Sequence, residues 1–329
     1  MRVLTVLTLL AGFLAGQVSA ACSGQDLRPT LTSEEQAAMA EGIAARPYPV
    51  GNHWRATRGE EVLHLVGTVH LDDPGLAGPV SRLAPLIEDA AIVLLEMTAA
   101  EKTEMQKAMG TSPDLLLLPD TTLPELLAED DWQRLSDALR ARGMPPFMAA
   151  RFRPWYVSML LSLPPCLAQG LTAEAGLDAR IEQMAVFAGV PVQALEAFDT
   201  GFRAFDEVPM AAQVDMLRAS LTAPSDNEDM FATVLASYLD EAHAESWLLA
   251  QVLAPRFTTF DEAAEEIFET LGANLLDARN RAWIPVILRA LEDTDGTVVA
   301  AFGAGHLSGE AGVLALLATE GFVLERQPF

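Results

Sequence analysis

Two stretches decide the fold: Leu65-Val66-Gly67-Thr68-Val69-His70 near the start of the chain, and Ala301-Phe302-Gly303-Ala304-Gly305-His306 near its end. Each closes an apolar, β-forming run (Val62 to Thr68 and Thr297 to Phe302) on a Gly-x-x-His. After the first, Gly75 to Asp89 has helical periodicity, and Ile92 to Leu95 reads as a short buried strand ending at Glu96. After the second, Gly309 to Thr319 reads as a helix and Phe322 to Leu324 as a closing strand before Glu325. Both ends therefore read as β–(Gly-x-x-His)–α–β. Right-handed crossovers place each His at the carboxyl edge of its strand, where open α/β sheets bind ligands. Pairing the units about a pseudo-dyad brings both histidines to one cleft. The expected fold class is α/β: a small central sheet built from both chain ends as two such units, with a large, mainly helical middle segment.

That middle is helical in pattern from about residue 100 to 185, broken by Pro113, Pro119, Pro124, Pro145, Pro146, Pro154, Pro164 and Pro165. Val190 to Leu195 is a further apolar strand ending at a carboxylate, Glu196. Residues 228–252 and 259–291 read as two long helices, the second capped by Thr259 with Glu262 and kinked at Pro285. Thr32 or Ser33, with Glu35 or Gln36 three residues on, forms a capping-box pattern that opens an early helix. No low-complexity tract interrupts residues 21–329. They are expected to form a single domain, with the helical insertion spanning about 100–290.

With 329 residues, half of them hydrophobic, the chain can bury a sizeable core. It carries 46 acidic against 21 basic residues, a net charge of −25, so nucleic acid and anionic membrane surfaces are poor partners. Arg2, the apolar run from Val3 to Val18 and the small-residue site Val18-Ser19-Ala20 mark residues 1–20 as a signal peptide, and no later stretch reaches membrane-spanning length. The protein is expected to be exported, periplasmic or secreted. Its two cysteines, Cys22 and Cys166, suggest a disulfide in an oxidising compartment. The rival is a lipidated Cys22, for which Ser19, three residues earlier, is a poor match.

Glycine leaving a strand permits a tight turn, so Gly67 and Gly303 are expected at backbone turns that aim His70 and His306 into the crevice. Imidazole there can ligate a metal or act as a base near neutral pH. Glu96 and Glu196 sit at strand ends, where a partly buried carboxylate serves as a base or a hard metal ligand. Arg279 and Asn280 interrupt a predicted helix with groups it does not need; Arg279 can polarise a carbonyl, or simply pair with Asp277 or Glu292. Glu325 reads as structural, His64 as a core or sheet-face residue, and His243, among Asp240, Glu241 and Glu245, as part of a solvated helix face. His53 lacks the context of the paired motifs. The sequence has no HExxH, CxxC pair, Gly-x-Ser-x-Gly, P-loop or Gly-x-Gly-x-x-Gly, which leaves serine-elbow hydrolases, zincins, NTPases and dinucleotide enzymes unsupported.

At these residues the chain resembles the TraB/GumN family, in the superfamily that includes the Tiki metalloproteases and, distantly, erythromycin-esterase-like and ChaN-like folds. The resemblance covers roughly residues 45–327. It rests on the two Gly-x-x-His stretches, Val93-Leu94-Leu95-Glu96, Pro154-Trp155, Pro191-Val192-Gln193-Ala194-Leu195-Glu196 and Arg279-Asn280. Cys22-x-Gly-x-Asp26-Leu27 also looks like the start of exported bacterial members. The resemblance implies a divalent-metal-dependent hydrolase. Animal members trim an extracellular signalling protein, and bacterial members have been linked to peptide-pheromone shutdown and to polysaccharide gene clusters.

Two classes of function follow. The first is an exported metal-dependent hydrolase, a peptidase acting on a peptide or protein substrate. His70, His306 and Glu96 would hold Mn²⁺, Co²⁺ or Zn²⁺, Glu96, Arg279 and Asn280 would be catalytic, and Glu196 would contact substrate. Without metal, His70 would act as general base, oriented by Glu96, in an esterase-like reaction. The second is a non-catalytic protein that binds a peptide, haem or metal in the same cleft.

Overall fold

The computed structural model describes residues 22–167, 176–258 and 262–329; the expected signal peptide and the Thr259 cap lie outside these. One sheet organises the chain. Its six strands are β1 (His53–Arg58), β2 (Glu61–Thr68), β3 (Ile92–Leu95), β4 (Val192–Ala194), β5 (Thr297–Gly303) and β6 (Val323–Arg326), in the order β4-β3-β5-β2-β1-β6. β4, β3, β5 and β2 are mutually parallel neighbours, and β1 runs antiparallel to both β2 and β6. β6 therefore points the same way as β2 and β5, so both expected units are parallel β–α–β crossovers. The first crosses over β5 to reach β3, and the second crosses over β2 and β1 to reach β6.

Burial explains the order. Val298, Val299, Ala300, Ala301 and Phe302 of β5 are wholly buried, as the near-continuous apolar run of a strand covered on both faces requires. β1, with Arg55 and Arg58 in its short sequence, lies towards the edge of the sheet and was not among the expected strands. Around the sheet, Leu83 and Ile87 of the helix Ala77–Glu88, Ile181 and Ala185 of Leu177–Ala188, and Trp283 and Ile287 of Ala278–Asp293 join one core. A second core lies wholly within the helical middle, around Leu123, Leu135, Leu139, Val157, Leu161 and Leu217.

The early helix Ser33–Ala44 starts at the expected capping box, with Thr32 and Glu35 bonding each other's backbone N–H. The expected helix at 228–252 is instead two helices, Pro224–Leu239 and His243–Phe257. Glu241, at φ 58°, turns the chain between them. The expected helix at 259–291 continues from Glu262–Gly272 through a π-helical segment, Ala273–Asp277, into Ala278–Asp293. The irregularity lies at this wider turn, upstream of Pro285, which stays inside the last helix. The helix expected from Gly309 is confined to Val313–Thr319, because Gly309 adopts φ 100° and Gly312 is its N-cap.

Cys22 and Cys166 form a disulfide with Cα atoms 5.5 Å apart, which leaves no thiol for lipidation of Cys22. No helix among the described residues is long and apolar enough to cross a membrane.

Candidate functional site

Strand register sets out the site. Thr68 of β2 pairs with Gly303 of β5, and Leu95 of β3 pairs with both Ala301 of β5 and Ala194 of β4. Glu196, Glu96, His306 and His70 thus leave four adjacent parallel strands at the same carboxyl edge. The geometry requires glycine at one of the two expected turns for a reason other than backbone freedom. Gly67 lies inside β2, and neither it nor Gly303 has positive φ. A Cβ at Gly67 would stand 2.6 Å from Leu307 Cδ1 and 3.1 Å from Ala304 Cα, so its absence lets the turn carrying His306 pack against β2. Tyr238 Oη donates to the Gly67 carbonyl at 3.0 Å and so also holds that strand end.

The centre of the row is occupied by Arg279. Its Nε lies 3.0 and 3.1 Å from the two Glu196 carboxylate oxygens, and Nη2 lies 2.6 Å from Glu196 Oε1 and also donates to Glu96 Oε1. Nη1 donates to Leu275 O at 3.0 Å and faces His306 Nε2 at 3.5 Å. Leu275 belongs to the π-helical segment, so that irregular turn supplies one of the guanidinium's acceptors. Trp283 completes the enclosure: Arg279 Cζ sits 5.1 Å from its ring centroid, and its Nε1 donates to Glu196 Oε2 at 2.8 Å.

His306 is buried and fixed. Asn280 Nδ2 donates to Ala311 O at 2.9 Å, which orients the amide so that Oδ1 accepts from His306 Nδ1–H at 2.6 Å. The Nε2 lone pair is thereby aimed at Arg279. The Trp283 ring lies 4.4 Å from the imidazole centroid. Burial, reinforced by the neighbouring Arg279 and His70 and only partly offset by Glu96, pushes the imidazole down to about 4 and keeps it neutral. Glu96 has the opposite balance. Burial disfavours its charge, but the Arg279 guanidinium that donates to it, with His70 nearby, outweighs that and holds its carboxyl below the usual carboxylate range. Glu96 Oε2 also accepts from Gly303 N at 3.3 Å.

His70 stands at the open end of the row. Its side chain is 65% exposed, and Nδ1 lies 3.0 Å from Asp178 Oδ1. Asp178, not Glu96, is the carboxylate beside its ring, an ion-pair contact without hydrogen-bond geometry. The Asp178 carboxylate raises the His70 pKa, with a further contribution from Glu96. Leu177 N bonds Val69 O at 3.0 Å, and a Cβ at Gly176 would meet His70 Cα at 2.7 Å, so the start of the helix Leu177–Ala188 is pressed onto the His70 turn. Lys102 Nζ lies 3.8 Å from Asp178 Oδ2 and 3.9 Å from Glu182 Oε2.

Among the expected site residues, Glu96, Glu196, Arg279, Asn280 and His306 form one contiguous cluster, and His70 is close enough to act on the titration of Glu96 and His306. Arg279 and Asn280 have their polar groups engaged inside the cluster, and Glu196 bonds Arg279 and Trp283, where a substrate contact was expected. The donor chemistry of a transition-metal site is present, with an imidazole lone pair fixed by a hydrogen bond on its far nitrogen. The arrangement nevertheless does not fit a divalent ion, because the guanidinium fills the position between Glu96 and His306. Among the described residues, no three His, Cys, Asp or Glu side chains converge as ligands.

Asp178, Lys102, Trp283 and Tyr238 were not expected. Trp283 follows Arg279 by one helical turn and could have been found from that spacing; Asp178 resembles any acid in the first turn of a helix. His243, expected on a solvated helix face, is 2% exposed and its Nε2 bonds Tyr48 O at 3.0 Å. It starts a new helix after the Glu241 turn and so points inward. His53 and His64 pair at 2.9 Å through Nε2 and Nδ1, with His53 Nδ1 on Pro328 O.

The family model for the TraB/PrgY/gumN family matches residues 52–326. Among curated proteins, the chain is 26% identical over 278 residues to the uncharacterized protein YbaP of Escherichia coli (strain K12), covering 81% of this chain and 94% of that one. The uncharacterized protein YbaP of Shigella flexneri matches with the same identity and coverage.

Proposed function

This chain belongs to the TraB/PrgY/gumN family, and from that membership and the geometry of its strand-end cluster we propose that it is an exported hydrolase that cleaves peptide substrates. The observation that carries the proposal is the His70–Asp178 pair, set at the carboxyl edge beside the charged Glu96–Arg279–Glu196 cluster. The negative charge of Asp178, 3.0 Å from Nδ1, favours a proton there, and a proton on Nδ1 leaves the Nε2 lone pair to accept one from water. The hydroxide so formed attacks the scissile carbonyl carbon, and the imidazolium then returns its proton to the leaving nitrogen as the C–N bond breaks. Lys102 supports the same reading. Its ammonium is beyond hydrogen-bond length from both neighbouring carboxylates, so its donors are available to a carbonyl oxygen. Arg279, whose donors are engaged, sets the local potential at the carboxyl edge and holds Glu96 and Glu196 in place. No step of this mechanism is routed through a metal.

The disulfide and the N-terminal sequence support export. The test is a peptide library incubated with the purified mature protein and read by mass spectrometry. Wild-type protein is expected to give cleavage products, and His70→Ala to lower the rate about 10²-fold or more. Equal rates in the two would overturn the assignment. Stoichiometric retention of an uncleaved peptide would identify a binding protein instead.

A further inference from the structure

The feature that the proposed chemistry leaves unexplained is the buried Arg279. Two carboxylates with little exposure, Glu96 at 21% and Glu196 at 11%, face one another across it. Without a cation between them they would form a desolvated like-charge pair, which proteins avoid by protonation or by binding a positive charge. His306 adds an imidazole whose tautomer Asn280 fixes, so that its lone pair faces the same point. Carboxylates and an oriented imidazole lone pair are the donor types of Mn²⁺, Co²⁺ and Zn²⁺ sites. The cation found at that point is the guanidinium.

We propose that Arg279 is the resident cation of this cluster and that it excludes divalent metal: a metal ion binds Glu96 and His306 only when Arg279 has left them. An ion bonded at about 2 Å to Glu96 and His306 would overlap the guanidinium nitrogens that now contact the same two residues. The guanidinium is held on several sides, by Glu196, Leu275 O, Glu96 and the Trp283 face, which makes its release costly. Arg279 thus keeps the cluster selective for its own side chain. The inference does not depend on the hydrolase reading, because metal occupancy is measured without turnover.

The experiment is calorimetric titration of the mature protein with Mn²⁺, Co²⁺ and Zn²⁺, comparing wild type with Arg279→Met and with the double variant Arg279→Met/Glu96→Gln. Arg279→Met is expected to bind one equivalent of metal at least tenfold more tightly than wild type, and the double variant to lose that gain. Equal affinity in wild type and Arg279→Met would overturn the proposal. If Arg279→Met fails to fold, wild type alone decides by NMR during Zn²⁺ titration. The Arg279 Nε–H resonance is expected either to persist with the His306 ring signals unmoved, or to be lost in step with their shift. A shifted His306 ring with Arg279 Nε–H still bonded would mean that metal and guanidinium share the site, and would likewise overturn it.

Discussion

Arg279 and Glu196 meet side-on, with Nε 3.0 Å from Oε2 and Nη2 2.6 Å from Oε1, at a point where both side chains are about a tenth exposed. The pair joins β4 to the helix Ala278–Asp293, and Trp283 Nε1 ties the same carboxylate to the next turn of that helix. Removing Glu196 leaves the buried guanidinium with Glu96 as its one carboxylate and Trp283 Nε1 without its acceptor. Glu196→Ala is expected to cost about 3–5 kcal/mol, read as the loss of urea-unfolding free energy. A change below about 1 kcal/mol would show that the pair is not buried in solution.

The His70–Asp178 contact predicts a pH profile. Because Asp178 raises the His70 pKa above 6.5, the fraction of neutral, base-competent imidazole grows as pH rises through that elevated value. Hydrolysis is expected to increase on the alkaline side of 6.5. Asp178→Asn should lower the rate and move the inflection to lower pH. An unmoved inflection would separate Asp178 from the titrating base.

Asn280 gives a spectroscopic test. Replacing its amide with a carboxylate, Asn280→Asp, sets a negative charge against His306 Nδ1, now 2.6 Å from Oδ1, in a buried setting. The imidazole pKa, held down to about 4, is expected to rise by more than one unit when followed by NMR of the ring protons. No movement would mean that Asn280 does not set the protonation of His306.

Acid should weaken the fold through its histidines. Burial lowers His64, His243 and His306 to about 4 from a reference value of 6.5. Between those values the unfolded chain binds more protons than the folded one, so stability is greatest above 6.5 and falls as pH drops towards 4. At pH 5 the near-fully buried His243 and His306 contribute a loss of about 2 kcal/mol each. His70 works in the other direction, since its raised pKa favours the folded state below 6.5. Urea midpoints at pH 7 and pH 5 check the sum; a midpoint independent of pH would contradict the burial of these rings.

The disulfide closes a span of 144 residues. Its reduction, or Cys22→Ser, is expected to cost about 2–5 kcal/mol, seen as a lower Tm in reductant for wild type and no further drop for the variant. A wild-type Tm that does not respond to reductant would place the bond outside the cooperative unit.

What could be read from sequence follows from how local each signal was. Strand exits near Gly67, Glu96, Glu196 and Gly303 are written in short apolar runs ending in one polar or flexible residue; β3 and β5 end where those runs end, β2 continues one residue past Gly67 to Thr68, and β4 stops at Ala194, two residues before Glu196. β1 was invisible because His53–Arg58 is short and polar, and it becomes a strand only between β2 and β6. His243 was misplaced because Glu241 takes positive φ without being glycine, so nothing in the local pattern marked the break between the two helices. The partnership of His70 with Asp178 depends on the start of a distant helix being pressed onto the His70 turn, a contact that no local spacing encodes.

The pairing of β2 with β5 joins segments near opposite ends of the chain, and β5 lies between β2 and β3. Such non-local parallel pairing must close a very long loop before it gains any contact, so it slows folding. Without β5, the strands that carry Glu96 and His70 have no common neighbour, and the turn that carries His306 has no strand to leave. The candidate site is therefore complete only when the two ends of the chain have met, and a C-terminal truncation that removes β5 is expected to leave it unassembled.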